Sequence, residues 1–218
     1  MTGIRRHRAP DRPAARALAA LGSRLGIGAL LIAAIAVGSL IKSVTPDTDT
    51  RERPFIRTGA PGEATDARTF EVRVLEVRGA KKIVRLGRER ETGGVWVLVK
   101  VQAVARHEPT TIGYAAVRDA RGRLFHATER IAQPLLGGRT LQPGVPVEGE
   151  IVFEVPADAA VSLSIRLAWT PLDQRMDAMA EIGLDIDAAS VAAWQAATEA
   201  ARITDAKLAI GPDGQVTG

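Results

Sequence analysis

Val161-Ser-Leu-Ser-Ile-Arg-Leu-Ala-Trp169 alternates without a break. A period of two puts Val161, Leu163, Ile165, Leu167 and Trp169 on one side of an extended chain and Ser162, Ser164, Arg166 and Ala168 on the other. The stretch therefore reads as a strand with one buried face. The same rhythm recurs on both sides of it. Before it, Val147, Ile151, Phe153 and Val155 face one way while Glu148, Glu150 and Glu154 face the other. After it, Ala178, Ala180, Ile182, Leu184 and Ile186 alternate, with Glu181, Asp185 and Asp187 outward.

Further upstream, Phe70, Val72 and Val74 alternate with Glu71 and Arg73, and the phase slips at Leu75 as a bulge or an edge strand allows. Val95, Val97, Val99, Val101 and Ala103 line one face of a longer stretch. Its other face is mixed (Trp96, Leu98, Lys100, Gln102, Val104), which predicts a central strand largely covered on both sides. Ile112–Val117 and Leu124–Ala127 flank Asp119-Ala-Arg-Gly122, whose turn chemistry predicts a hairpin. No amphipathic helix intervenes to make a parallel sheet. The expected fold is all-β: an antiparallel sandwich of about seven strands over residues 69–187, large enough to fold without disulfides. After Asp187 the pattern turns helical, with Val191, Trp194, Thr198 and Ala201 on one face and Ser190 as cap. Residues 188–218 thus read as a short C-terminal helix and a frayed tail.

The N-terminal part obeys other rules. Leu25 to Ile41 holds no charge and no proline, and Arg24 and Lys42 close it. A membrane span needs roughly 17–25 apolar residues, so the run meets the lower bound. Its Leu, Ile and Val residues supply on the order of −3 to −5 kcal/mol toward insertion. Residues 25–42 therefore read as a single transmembrane helix that binds the lipid bilayer. Cleavage is the rival: Ala34-Ile35-Ala36 and Val37-Gly38-Ser39 both pass as small-x-small exits, but the run is longer than a signal peptide's apolar region, which favours an uncleaved anchor. Residues 43–68, rich in proline, hydroxyls and charge, read as a disordered linker.

The net charge of +4 must be located before it is interpreted. Residues 1–24 carry Arg5, Arg6, Arg8, Arg12, Arg16 and Arg24 against Asp11 alone, so the rest of the chain is slightly acidic. A basic flank keeps its side of the membrane cytoplasmic. The expected placement is a single-pass protein of the cell membrane, with a basic cytoplasmic tail at 1–24 and the sandwich outside. Nucleic-acid binding needs its basic charge on the folded domain, so that partner class is set aside. Cysteine is absent, which excludes a lipoprotein anchor, thiolate metal sites and thiol catalysis. Arg outnumbers Lys by 24 to 5, a usage associated with a high-GC bacterial source.

Leu141-Gln-Pro-Gly144 is followed by Gly149-Glu-Ile-Val-Phe-Glu-Val-Pro156. This Pro-Gly turn, leading to a strand that ends Phe-x-Val-Pro, resembles the telokin-like, immunoglobulin-fold extracytoplasmic domains of membrane-anchored Gram-positive proteins of unknown function. The resemblance extends loosely over Phe70 to Ile186. It implies an immunoglobulin-like sandwich behind a membrane or lipid anchor, and no chemistry. In place of the Asn often found after the family's second strand stands Ala105-Arg106-His107.

No catalytic, cofactor or metal constellation emerges. His107-Glu108, and His126 with Glu129, lack a third ligand at metal spacing, and His7 lies in the tail. No P-loop, dinucleotide fingerprint or Gly-x-Ser-x-Gly occurs. Asp173, Asp177, Glu181, Asp185 and Asp187 form an acidic series, but a strand's solvent face gives the same pattern. What remains is the stretch Gly79–Gly94, read as a loop or an extra hairpin. It offers Lys81, Lys82, Arg85, Arg88 and Arg90 as partner contacts beside Ile83, Val84 and Leu86. The expected function is a non-enzymatic, membrane-tethered extracytoplasmic binding or scaffolding module, such as an accessory subunit of an envelope or transport complex, with a protein or anionic envelope partner. The alternative is an envelope hydrolase whose site has no recognisable motif.

Overall fold

The computed structural model describes residues 54–175 and 177–209. The basic tail, the apolar run Leu25–Ile41, the first part of the expected linker and the stretch after residue 209 lie outside the described residues. Among the described residues no helix is long and apolar enough to cross a membrane.

In chain order the strands are β1 (Phe55–Gly59), β2 (Thr65–Asp66), β3 (Phe70–Arg85), β4 (Arg88–Ala105), β5 (Tyr114–Arg118), β6 (Leu124–His126), β7 (Val147–Val155), β8 (Ser164–Ala168) and β9 (Ala178–Gly183). Helix α1 (Ala188–Ala196) and the two-residue strands β10 (Ala201–Arg202) and β11 (Lys207–Leu208) follow. They form a β-sandwich of two sheets, ordered β1-β9-β8-β5-β6 and β10-β3-β4-β7-β11, with β2 also paired to β3. The inner pairings are antiparallel. Two parallel pairings, β1 with β9 and β10 with β3, modify the expected all-antiparallel sandwich at its edges.

The alternating residues meet between the sheets. Phe70, Val72, Val97, Val99, Ile151 and Phe153 from one sheet pack with Val117, Ile165, Leu167, Ala180 and Ile182 from the other. The slip at Leu75 is a register shift between Val74 and Glu76. Pro143-Gly144 makes the expected turn: Gly144 has φ +71°, and the Val145 N–H donates to the Gln142 carbonyl. Asp119 closes the β5–β6 hairpin by accepting from the backbone N–H groups of Arg121 and Arg123.

β4 is central, as its two apolar faces predict. Trp96 and Leu98 on its outer face are fully buried, in a second cluster with Ile83, Val152 and Ile203. The C-terminal segment supplies the cover. β10 pairs with β3 at one edge of the sheet and β11 with β7 at the other, so residues 203–206 cross the outer face. Under this strap Glu150 is 2% exposed. Its carboxylate accepts from the Arg78 guanidinium and from the Thr204 N–H.

Three expectations are corrected. The disordered linker was expected to run to Arg68, but Phe55–Gly59 is a strand held by β9, and β2 follows it. The cap of α1 is Asp187, whose side chain accepts from the Ser190 N–H; Ser190 itself lies inside the helix. The helix ends at Ala196, and Ala201 belongs to β10. A shorter helix suffices because Val191 and Trp194 already reach the main core.

Candidate functional site

Of the two readings of Gly79–Gly94, the structure takes the hairpin and not the loop. The stretch is the outer part of the β3–β4 hairpin, which runs past the sandwich with Lys82↔Glu91, Ile83↔Arg90, Val84↔Glu89 and Arg85↔Arg88 in register. Leu86 and Gly87 close it, both at positive φ (+49° and +74°), as a two-residue hairpin turn requires. Paired positions share a face of the ladder, and the faces alternate. Ile83, Arg85, Arg88 and Arg90 therefore point one way and Lys82, Val84, Glu89 and Glu91 the other.

The arginine face borders an open cleft of about 390 Å³ lined by Arg85, Leu86, Arg88, Arg90, Arg130, Ile131 and Ala132. Two of its cations are fixed from behind. Arg85 pairs with Asp205 of the C-terminal strap at 2.8 Å, and its Nε is buried without a hydrogen-bond partner. Arg130 lies over the Trp96 ring at 5.1 Å and donates to Glu154 at 2.7 Å. Burial raises the Glu154 carboxyl, but hydrogen bonds from Thr92 and Arg130 outweigh it and hold the group below its ordinary range. Arg88 and Arg90 have no acidic partner among the described residues.

Of the five basic residues singled out in the sequence, the structure brings three to this cleft. Lys81 falls at the register shift between Ala80 and Lys82, and Lys82 turns to the opposite face, where it pairs with Glu89 at 3.3 Å. Arg130 is the residue that sequence reasoning missed. It lies between β6 and β7, and only the fold brings it beside the hairpin.

No family model matches this chain, and no curated protein does. Some solved structures are similar to it. One is a secreted protein of Mycobacterium tuberculosis, MPT63, at 15% identity and a TM-score of 0.42, over 59% of this chain and 96% of that one. Another is an uncharacterised β-sandwich protein of Clostridium difficile, at 10% identity and a TM-score of 0.41, over 64% and 99%. A third is the yjhA protein of Bacillus subtilis, at 15% identity and a TM-score of 0.39, over 56% and 98%.

Four acids of the C-terminal series are engaged structurally. Asp177 accepts from the backbone and hydroxyl of Thr170, and Asp173 pairs with Arg175. Burial raises the Glu181 carboxyl, yet hydrogen bonds from Arg166 and Ser164 bring it below its usual range. Asp187 caps α1. These acids serve separate local partners and do not converge. His126 meets the edge of Tyr114 at 5.5 Å. Among the described residues no group of three or more His, Asp or Glu stands close enough to hold a metal ion.

The cleft also has a defined place on the sandwich. Phe55, where the described chain begins its first strand, pairs with Ala178, at the end of the sheet shared with Ala168 and Tyr114. The hairpin leaves from the opposite end, beyond the paired Val95 and Val155.

Proposed function

We propose that this chain is a non-enzymatic, membrane-tethered extracytoplasmic binding module whose contact surface is the arginine face of the β3–β4 hairpin. The sandwich is read as immunoglobulin-like, and the tether as the apolar run Leu25–Ile41. One observation carries the reading. Four arginines from two parts of the chain line a single cleft, and Arg88 and Arg90 among them have no acidic partner among the described residues. Exposed guanidiniums on a rigid hairpin suit recognition of an anionic partner. Phe55 and the hairpin lie at opposite ends of the sandwich. Asp173, Asp177, Glu181 and Asp187 are committed to local structure, which leaves the arginine face as the better-supported contact.

The experiment is photo-crosslinking in intact cells from position 86, with and without Arg88→Glu and Arg90→Glu together. The expected result is one reproducible adduct that the double reversal removes. An adduct pattern unchanged by the reversal would overturn the reading.

A further inference from the structure

Resting on that reading, we propose that the cleft recognises phosphate esters, and specifically successive phosphates of an extracytoplasmic phosphodiester polymer. The chemistry of the donors sets the class. Among the described residues Arg88 and Arg90 have no acidic partner, and Arg85 beside them is held in place by Asp205. Arg130 approaches from a separate loop with its orientation fixed by Glu154 and Trp96. Several guanidiniums brought to one cleft from two parts of the chain suit the shared negative charge of phosphate oxygens. Two of the cations are oriented before any ligand arrives, which lowers the ordering cost of binding.

Spacing points to a chain rather than to one phosphate. Arg88 and Arg90 are alternate residues of one strand, so they stand about 6.7 Å apart on one face. A phosphodiester chain with a short carbon bridge repeats its charge on that scale. Leu86, 81% exposed at the turn, and Ile131 give the carbon bridge an apolar wall. A leucine in the left-handed region satisfies neither turn chemistry nor solvent, and such double exceptions concentrate at functional positions. The occupant proposed is a polymer, whose repeated charge the Arg88–Arg90 spacing matches; a preference for lipid vesicles would name head groups instead and overturn it.

The test uses the full chain in phosphatidylcholine nanodiscs, which give every variant the same neutral background. The probes are a synthetic oligo(glycerol phosphate), glycerol phosphate monomer, polyglutamate of matched charge, and phosphatidylglycerol vesicles. The expected result is saturable binding of the oligomer at least about tenfold tighter than the monomer or polyglutamate, with no preference for the vesicles. Each guanidinium supplies charge-assisted hydrogen bonds worth about a factor of ten. Arg88→Ala with Arg90→Ala should therefore weaken the oligomer at least about tenfold, while Lys81→Ala leaves it unchanged. Equal binding of polyglutamate, preference for the vesicles, or indifference to the double substitution would each overturn the proposal. A protein adduct from position 86 that depends on Arg88 and Arg90, with no oligomer binding, would sink this inference and leave the binding-module reading standing.

Discussion

The indole of Trp194 on α1 occupies the space that a side chain at Gly79 of β3 would need. Gly79 sits mid-strand, paired with Val97, where glycine is otherwise a weak choice. The helix docks by its ring on bare backbone, so the two positions are coupled. Gly79→Ala should push the indole out and cost about 1–3 kcal/mol, as overpacking does. In a Trp194→Ala background the same change should cost far less. Chemical denaturation of the four proteins of this cycle measures the coupling, and additive losses would show that the ring does not rest on Gly79.

That contact also shows where sequence reading stops. Strands such as Ser164–Ala168 and Val147–Val155 were legible because one buried face imposes a period of two on nearby residues, although Trp169, beyond the first of them, is half exposed. Phe55–Gly59 was not. Its order comes from β9, more than a hundred residues away, and an edge strand needs only a ladder, so Phe-Ile-Arg-Thr-Gly carries little pattern. The hairpin beyond Ala80 looked like a loop because its turn is Leu-Gly rather than Asn-Gly and its residues are mostly charged. Its three cleft arginines were visible as composition, but the parity that separates them from Lys82 depends on the register shift. Arg130 had no local signal at all. The strap was hidden for the same reason, since Ile203 is buried only by packing with Trp96 and Leu98, far off in the sequence.

The strap is held at its middle by Glu150. That carboxylate joins Arg78 to the Thr204 amide, and Arg78 reaches on to the Arg202 carbonyl at 2.7 Å. Glu150→Gln keeps the shape but removes the charge that orders this network. Hydrogen bonds to a charged group are worth about 1.5–3 kcal/mol, and this one holds the middle of the strap between its two short edge pairings. Amide exchange at Thr204 and Ile203 should accelerate by at least about tenfold in the variant, while exchange at Val97 and Val99 stays slow. Uniform acceleration across the sandwich would mean that Glu150 supports global folding rather than the strap.

Glu154 makes the hairpin base sensitive to acid. Its folded carboxyl titrates below its ordinary value, so the unfolded chain binds more protons in that range. The stabilisation is complete above the ordinary glutamate range and is lost as pH falls through the lower, folded value. Protonation removes the acceptor for Thr92 and Arg130 and frees Arg130 to turn from Trp96. Glu154→Gln should therefore be less stable than the parent at pH 7, and the gap should narrow as pH falls toward 3. Denaturant midpoints across that range give the comparison. A gap that stayed constant would place the group outside the titration.

The hairpin's two faces give the last prediction. Counted as composition, Lys81, Lys82, Arg85, Arg88 and Arg90 are equivalent cations, and reversing any two shifts the net charge equally. Geometry divides them. Lys82 pairs with Glu89, and Lys81 stands at the register shift outside the cleft lining, whereas Arg88 and Arg90 line the cleft with no acidic partner among the described residues. If long-range attraction drives association, Lys81→Glu with Lys82→Glu should weaken it as much as Arg88→Glu with Arg90→Glu. If contact within the cleft drives it, only the arginine pair should matter, because at physiological salt the screening length is about 8 Å and charge on the far face is largely masked. We expect the arginine reversal to abolish co-purification of the crosslinked partner and the lysine reversal to spare most of it. Both variants should melt like the parent, since exposed hairpin charges contribute little to stability. Equal losses from the two reversals would reduce the cleft to one part of a diffuse basic surface.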